Sequence, residues 1–573
     1  MRIKDFLPIL DWLPNYKTSN LQGDLSAGLT VGVMLIPQGM AYAMIAGLPP
    51  IYGLYASTIP LIIYAILGTS RQLAVGPVAM VSLLTAAGIG ALAEGGTETY
   101  IMLAVALALF VGVIQFLLGV FRLGFLVNFL SHPVISGFTS AAALIIGLSQ
   151  LKHLLGVNIP RSHHVHEILL NAVQQFGEVN WYTFGVGIGG ILLIKGVKKI
   201  NKAIPGPLLA VVFGIAAVYG LGLVDQGVKI VGTVPEGLPS FVIPTFSSED
   251  FSALLPIALT IALVSFMESI AVAKAIQAKH KNYKVSANQE LIGLGAANIF
   301  GSLFQSYPVT GGFSRTAVND QAGAKTGLAA IISAVLIALT LLFLTPLFYY
   351  LPKAILASVI MVAVFGLIDF KEAKHLWTTD RADFWMLIAT FVGTLSLGIE
   401  QGILIGVALS LGVVIFRTTM PHFAVLGRIP GEDHYKNINR FDNLEQREDI
   451  LIMRFDARLY FANVNFFKEA IEAEVERRKG KLKLLILDAN SINSADSSGL
   501  HALEEIRAFL ASLNIEFYMT SVKGPLRDTL QKGHFDEKLG KDKFFMHIQT
   551  AVDNFDEKNP QRYKDYVLQT NLD

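Results

Sequence analysis

The sequence contains no cysteine, which excludes disulfides, thiolate metal sites and cysteine nucleophiles. It is also poor in charge. Asp, Glu, Lys and Arg make up 16% of the 573 residues, against about 25% in ordinary soluble domains. A formal net charge of +1 gives no bulk electrostatic basis for binding nucleic acid. No cleavable leader is expected, because Arg2, Lys4, Asp5, Pro8 and Pro14 precede the first long apolar run. Walker-type phosphate loops and nucleophile–base pairs are missing as well. His163, His164 and His166 fall in an expected external loop, without acidic or His partners at ligand spacing. No catalytic residue, metal or cofactor is therefore expected.

Apolar residues dominate instead, at 53% of the chain with a mean hydropathy of +0.53. They are unevenly spread. Residues 431–573 carry 46 charged side chains, whereas the first 430 residues carry 43. One chain thus holds a long lipid-like stretch and a short water-like one.

Runs near the length needed to cross a bilayer, about 20 residues, recur over the first 420 positions. They fall at 25–44, 50–67, 76–92, 101–120, 124–148, 181–195, 205–223, 253–273, 286–304, 310–320, 326–348, 353–369, 382–399 and 402–417, fourteen segments in all. Three basic clusters follow even-numbered segments: Lys195, Lys198, Lys199 and Lys202; Lys274, Lys279, Lys281 and Lys284; and Lys371, Lys374 and Arg381. The positive-inside rule makes that face cytoplasmic. Acids mark the other face, with Glu94 and Glu98, then Asp225, Glu236, Glu249 and Asp250. An even count places both termini in the cytoplasm of a multi-pass cell-membrane protein (the inner membrane, in a bacterium). The loop at 150–180, with Lys152 and Arg161, fits this scheme least well.

Two segments are broken. The third opens with Gly68-Thr-Ser-Arg-Gln and Gly76-Pro77, and the tenth with Gln305-Ser-Tyr-Pro-Val-Thr-Gly-Gly before Phe313-Ser314-Arg315. They hold matching places, third of seven in each half. Irregular backbone at membrane depth must line a cavity, and paired breaks of this kind mark a carrier's central site. The free N–H groups of two half-helix N-termini would converge there on an anion.

Few ionisable groups lie inside apolar segments, and those that do are costly. Glu268 is the one acid in 254–274, roughly 20 Å from the outer end of its helix at 1.5 Å per residue. It fits either a functional site or a hydrogen-bonded acid that locks packing. Arg315 fits a ligand contact or an arginine snorkelling to the interface. Gln38, in Leu35-Ile-Pro-Gln-Gly-Met-Ala-Tyr, shares a helix face with Tyr42, and Pro37 and Gly39 weaken that helix. Its amide can donate to an oxyanion or simply join helices.

Past Arg428 the pattern becomes soluble α/β. Strands are expected at 449–455, 482–487 and 515–520, and amphipathic helices at 466–479 and 500–510. This suits a parallel or mixed sheet with helices packed on it. The organisation expected is an N-terminal cytoplasmic segment at 1–24 and a membrane domain at 25–420. A linker at 421–445, a soluble domain at 446–556 and a polar tail at 557–573 follow.

Residues 24–67 carry Asp24-Leu-Ser-Ala-Gly-Leu-Thr, Leu35-Ile-Pro-Gln-Gly-Met-Ala-Tyr and Gly47-Leu-Pro-Pro-Ile-Tyr-Gly-Leu-Tyr. This closely resembles the signature of the SulP anion transporters, solute-carrier family 26. Gly76-Pro-Val-Ala and Phe313-Ser-Arg-Thr-Ala are similar to that family's third and tenth helices. Asp488-Ala-Asn-Ser-Ile-Asn-Ser-Ala-Asp-Ser-Ser-Gly-Leu resembles the central motif of the STAS domain.

The resemblance implies an all-α membrane domain built as a seven-plus-seven inverted repeat, with a core moving against a gate, followed by an α/β STAS domain. It implies a small anion substrate such as sulphate, bicarbonate or a dicarboxylate, and a homodimer in the bilayer. By position, Gln38, Tyr42, Pro77, Val78, Ala79, Phe313, Ser314 and Arg315 would line the anion site. Glu268 falls at the family's acidic position in helix eight, where glutamate leans towards proton rather than sodium coupling. Gly311-Gly312 departs from the pattern by offering no hydroxyl just before Phe313, which weakens the case for a side-chain sodium site. Ser498 matches the serine phosphorylated in STAS antagonists of sigma regulation, and in a transporter it is expected to serve as a helix cap. A passive channel, a sodium-coupled bicarbonate symporter and a membrane sensor signalling through the STAS domain are the competing readings.

Overall fold

A computed structural model of the chain describes residues 6–125, 131–159, 165–200, 205–280, 283–366, 368–478 and 480–560. Arg161, His163, His164, Lys202, Lys281, residues 126–130 of the fifth expected segment and the tail past 560 lie outside the described residues. The chain divides into two compact units, Met1–Ser410 and Leu411–Asp573.

The first unit is helical. Thr18–Ile45, Glu98–Val120, His132–Leu155, Ser248–His280 and Lys353–Thr379 are long and apolar enough to cross a membrane. Shorter apolar helices include Ala79–Gly90, Gly206–Gly220 and Leu328–Phe343. Thr18–Ile45 runs unbroken through Pro37. The expected segment 50–67 is divided into Ile51–Tyr55 and Ile59–Leu67. The hydroxyls of Ser57 and Thr58 donate to the carbonyls of Gly53 and Tyr55 at the break, and Pro60 brings no N–H to continue the ladder.

Helix packing here uses small residues, since lipid tails provide no hydrophobic drive between helices. Glu98–Val120 and Ala287–Ser302 approach through Gly112 and Gly295. A Cβ on Gly295 would lie 2.5 Å from the Phe116 nitrogen, so only glycine fits there. Around these helices Leu35, Met40, Tyr64, Tyr100, Phe266 and Tyr307 belong to one buried apolar cluster.

The broken segments become half-length helices, Ala79–Gly90 and Phe313–Gln321, of 12 and 9 residues. At 1.5 Å per residue they reach about 18 and 14 Å, well short of a hydrocarbon core of about 30 Å. A two-residue strand precedes each: β1 (Val75–Gly76) and β2 (Thr310–Gly311). The two pair antiparallel, Val75 opposite Gly311 and Gly76 opposite Thr310.

The second unit contains β3 (Phe423–Arg428), β4 (Tyr435–Asn437), β5 (Ile450–Phe455), β6 (Leu484–Asp488), β7 (Glu516–Thr520) and β8 (Phe544–Phe545). Their order across the sheet is β4-β3-β5-β6-β7-β8. β3 is antiparallel to both neighbours, while β5 through β8 run parallel. Alternation explains why both faces are covered. Leu451, Met453, Leu485, Leu487, Phe517 and Met519 point into one core, under helices Val464–Arg477 and Ser497–Ser512. Ile450, Ile452, Leu484, Ile486 and Tyr518 point the other way, into a core closed by Phe555 of helix Ile548–Lys558. Strands buried on both faces read as continuous apolar runs, as these do. The stretch 421–445, expected as a linker, instead contributes β3 and β4 to this sheet.

Candidate functional site

Antiparallel pairing of β1 with β2 brings the starts of Ala79–Gly90 and Phe313–Gln321 together. The joint is held from several sides. Gly312 N–H donates to the Ala74 carbonyl (3.0 Å), and Ala74 N–H donates to Thr316 Oγ1 (3.0 Å). Thr310 Oγ1 donates to the Ser265 carbonyl (2.7 Å), and Gly311 N–H donates to Ser269 Oγ (2.8 Å). Val309 N–H donates to Asn298 Oδ1 (2.8 Å), whose Nδ2 reaches Gln115 Oε1 (3.2 Å). Helix Ser248–His280 therefore grips the crossing through the residues on either side of Glu268.

Arg315 lies inside this joint and is 2% exposed, which rules out snorkelling to water. Its Nη1 donates to the Pro77 carbonyl at 2.6 Å. Nε and Nη2 are buried and find no acceptor among the described residues. Buried guanidinium donors left unpaired are costly, and two of them side by side form a ready seat for an oxyanion. Gly312 leaves room for them, since a Cβ there would sit 2.9 Å from Arg315 Cζ and Nη2.

The other sequence-derived residues gather around the same point. Pro77, Val78 and Ala79 are buried at the start of their half-helix. Gln38 and Tyr42 are buried on Thr18–Ile45, and Gln38 Oε1 has no donor among the described residues. Tyr42 and Glu268 both lie within electrostatic reach of Arg315, as does Tyr307, whose hydroxyl is 3.1 Å from Ser82 Oγ. Glu268 is half-buried. Phe313 and Ser314 differ from the rest: they head their half-helix but are exposed, Phe313 by 62%.

Two carboxylates that are fully buried among the described residues were not singled out from the sequence. Glu290 is 0% exposed and accepts from the Tyr64 hydroxyl (2.6 Å), the Thr69 N–H and hydroxyl (2.7 and 2.5 Å) and the Ser70 N–H (3.1 Å). Asp24, also 0% exposed, accepts from Lys325 N–H (2.6 Å), Thr326 N–H (2.9 Å) and the Thr326 hydroxyl (2.7 Å). Glu290 pins the chain before the first half-helix, and Asp24 pins it after the second. The expected result of Glu290→Ala is a large loss of thermal stability in detergent. Each orphaned buried donor costs about 1–3 kcal/mol, and Glu290→Gln should recover part of the loss because it keeps an acceptor.

In the second unit Ser498 stands at the second position of helix Ser497–Ser512. It is not the cap. Asp496, extended and just ahead of the helix, accepts from Gly499 N–H (2.8 Å) and also from Phe461 N–H (3.0 Å). Nearby, burial works to raise the Asp456 carboxyl, but hydrogen bonds from Arg454 and His422 outweigh it and hold the group below the usual carboxylate range.

Half-helices whose starts meet around a buried, partly unpaired guanidinium are the central-site arrangement of a membrane transport protein. Comparison with known proteins agrees. Residues 21–390 match the model of the sulfate permease family, and residues 443–551 match the STAS domain. The chain is 41% identical over 576 residues to "Sulfate transporter 4.1, chloroplastic" of Arabidopsis thaliana, covering 96% of this chain and 83% of that protein. It is 39% identical to "Probable sulfate transporter 4.2" of the same plant, with the same coverage. Its fold matches the solved structure of the murine Solute Carrier 26 family member A9 anion transporter in the inward-facing state. That match has a TM-score of 0.88 at 27% identity and covers 96% of this chain and 94% of the other. The chain belongs to the sulfate permease family and carries a C-terminal STAS domain.

Proposed function

We propose that this protein carries a small oxyanion, sulfate foremost, across the membrane by alternating access, with a proton as the coupling ion. The observation that supports this most is the pair of unpaired Arg315 donors beneath two converging half-helix N-termini. That arrangement offers a divalent tetrahedral anion a formal charge, two N–H donors in a fork and two positive helix ends. Gln38 and Tyr42 supply polar contacts from the facing helix, and Pro77, Val78, Ala79, Phe313 and Ser314 shape the walls. That several relatives are named sulfate transporters supports sulfate here over other anions of similar charge.

Glu268 is the coupling group in this reading. The neighbouring hydroxyls of Ser269 and Thr310 are committed to each other, to the Ser265 carbonyl and to Gly311 N–H, which favours a proton over a sodium ion here. Charged Glu268 opposes an incoming anion, and protonation removes that opposition. Anion binding and protonation therefore strengthen each other. Both termini are assigned to the cytoplasm, on the side of the lysine clusters, and the transporter to a homodimer.

Uptake into proteoliposomes tests the proposal. Labelled sulfate, bicarbonate, oxalate and chloride are offered separately, under an inward proton gradient or an inward sodium gradient. Sulfate accumulated only under the proton gradient is expected. Accumulation driven by sodium, or flux that never exceeds equilibration, would overturn the coupling and leave a sodium symporter or a passive channel.

A further inference from the structure

We propose that helix Phe370–Thr379 and the start of Arg381–Leu397 form a docking surface for the phosphate headgroups of anionic lipids. The helix is ten residues long and lies between two apolar helices, Lys353–Phe365 and Arg381–Leu397. It is set off from the first by Gly366 and by its cap, Asp369. Leu376 is buried, whereas Phe370 is 78% and Trp377 48% exposed. Phe370, Lys374 and Trp377, at i, i+4 and i+7, share the outward face, with Lys371 on the adjoining stripe. An amphipathic helix with aromatics and lysine on its open face, forming the polar end of the long apolar stretch Lys353–Thr379, belongs at the membrane boundary.

Charge decides what it meets there. Asp369 is exposed, but the acids of this region each have a polar partner. Asp369 accepts from the N–H groups of Lys371 and Glu372 (3.1 and 3.0 Å). Glu372 pairs with His132 at 3.1 Å, and Asp380 accepts from the N–H groups of Ala382 and Asp383 (2.9 and 3.3 Å). Lys371 and Lys374 are exposed and have no acidic partner among the described residues. Arg381 lies over the Trp377 ring, 5.3 Å from its centroid, so its charge stays beside the aromatic face, next to Trp385, which is 59% exposed. Three cations on an aromatic surface suit a lipid that offers an acyl chain beside net negative charge. A zwitterionic headgroup brings its own cation and competes poorly.

Trp377 reports on its own surroundings once the other three tryptophans, Trp12, Trp181 and Trp385, are replaced by Phe. The full chain is reconstituted in phosphatidylcholine vesicles containing equal mole fractions of brominated phosphatidylglycerol or brominated phosphatidylcholine. Quenching by the anionic lipid should exceed that by the zwitterionic one, with an apparent preference of at least about fivefold, roughly what one basic side chain contributes near a charged surface. High salt should erode the preference, and Lys371→Gln with Lys374→Gln should lower it severalfold, leaving the share that Arg381 holds. Equal quenching by the two lipids would overturn the proposal. So would the absence of quenching by either, which would mean that protein, such as a second copy, covers Trp377. The preference is a ratio read with both lysines in place, so it stands without the lysine variants.

Discussion

Arg315→Gln is expected to weaken sulfate binding by tenfold to a hundredfold while leaving the protein folded. A charge-assisted hydrogen bond is worth about 1.5–3 kcal/mol. Arg315 spends one donor on the Pro77 carbonyl and has two others unpaired beside the half-helix starts. Glutamine can keep an N–H for the carbonyl but brings neither the charge nor the fork. Apparent affinity from uptake against sulfate concentration measures the effect, and thermal stability in detergent serves as the control. Stability should hold or rise, because the substitution removes a buried charge with unpaired donors. An unchanged affinity would reduce Arg315 to a fastening between the two half-helices.

Glu268→Gln is expected to uncouple transport without abolishing it. Glutamine mimics the protonated carboxyl permanently, so the anion site stays in its favourable electrostatic state. Sulfate counterflow should persist, with affinity equal to or better than that of the parent. Accumulation driven by an inward proton gradient should disappear, and uptake should lose its pH dependence. Measuring both in the same proteoliposomes separates coupling from misfolding, because a misfolded protein loses counterflow too. Should the variant still concentrate sulfate with the parent's pH profile, Glu268 is not the coupling group.

Much of this was legible in the sequence because breaks in apolar runs are conspicuous. Gly76-Pro77 and Gly311-Gly312 sit where a membrane helix should continue, and the structure places a strand and a half-helix start at each. What the pattern does not reveal is the pairing of β1 with β2. Two-residue strands carry no periodicity, and their register depends on Asn298, Gln115 and Ser269, which look like ordinary polar positions of longer helices. Glu290 was missed for a related reason. It lies in the first turn of Ala287–Ser302, where an acid reads as a solvated helix end, and its four donors, from Tyr64 of helix Ile59–Leu67 and from Thr69 and Ser70 just past it, are more than two hundred residues away in sequence. In the STAS unit the strands with long apolar runs were found nearly to the residue. β3 and β4 were not, because β4 has only three residues and the two bracket Pro430-Gly431, a turn signal that reads as linker. Ser498 and Asp496 are both good capping residues, and only the extended backbone at Asp496 decides between them.

The central claim, that the anion sits at the meeting of the two half-helices, is tested most directly by protection of a single cysteine. The chain has none of its own, and Ser314 is exposed beside the buried Arg315. Alkylation of Ser314→Cys by a small maleimide is followed in proteoliposomes that still take up sulfate. Sulfate should slow the reaction over the same concentration range that saturates uptake, and the protection should move to tenfold to hundredfold higher sulfate when Arg315→Gln is added. Alkylation at one rate with and without saturating sulfate, in a protein that still transports it, would place the anion elsewhere.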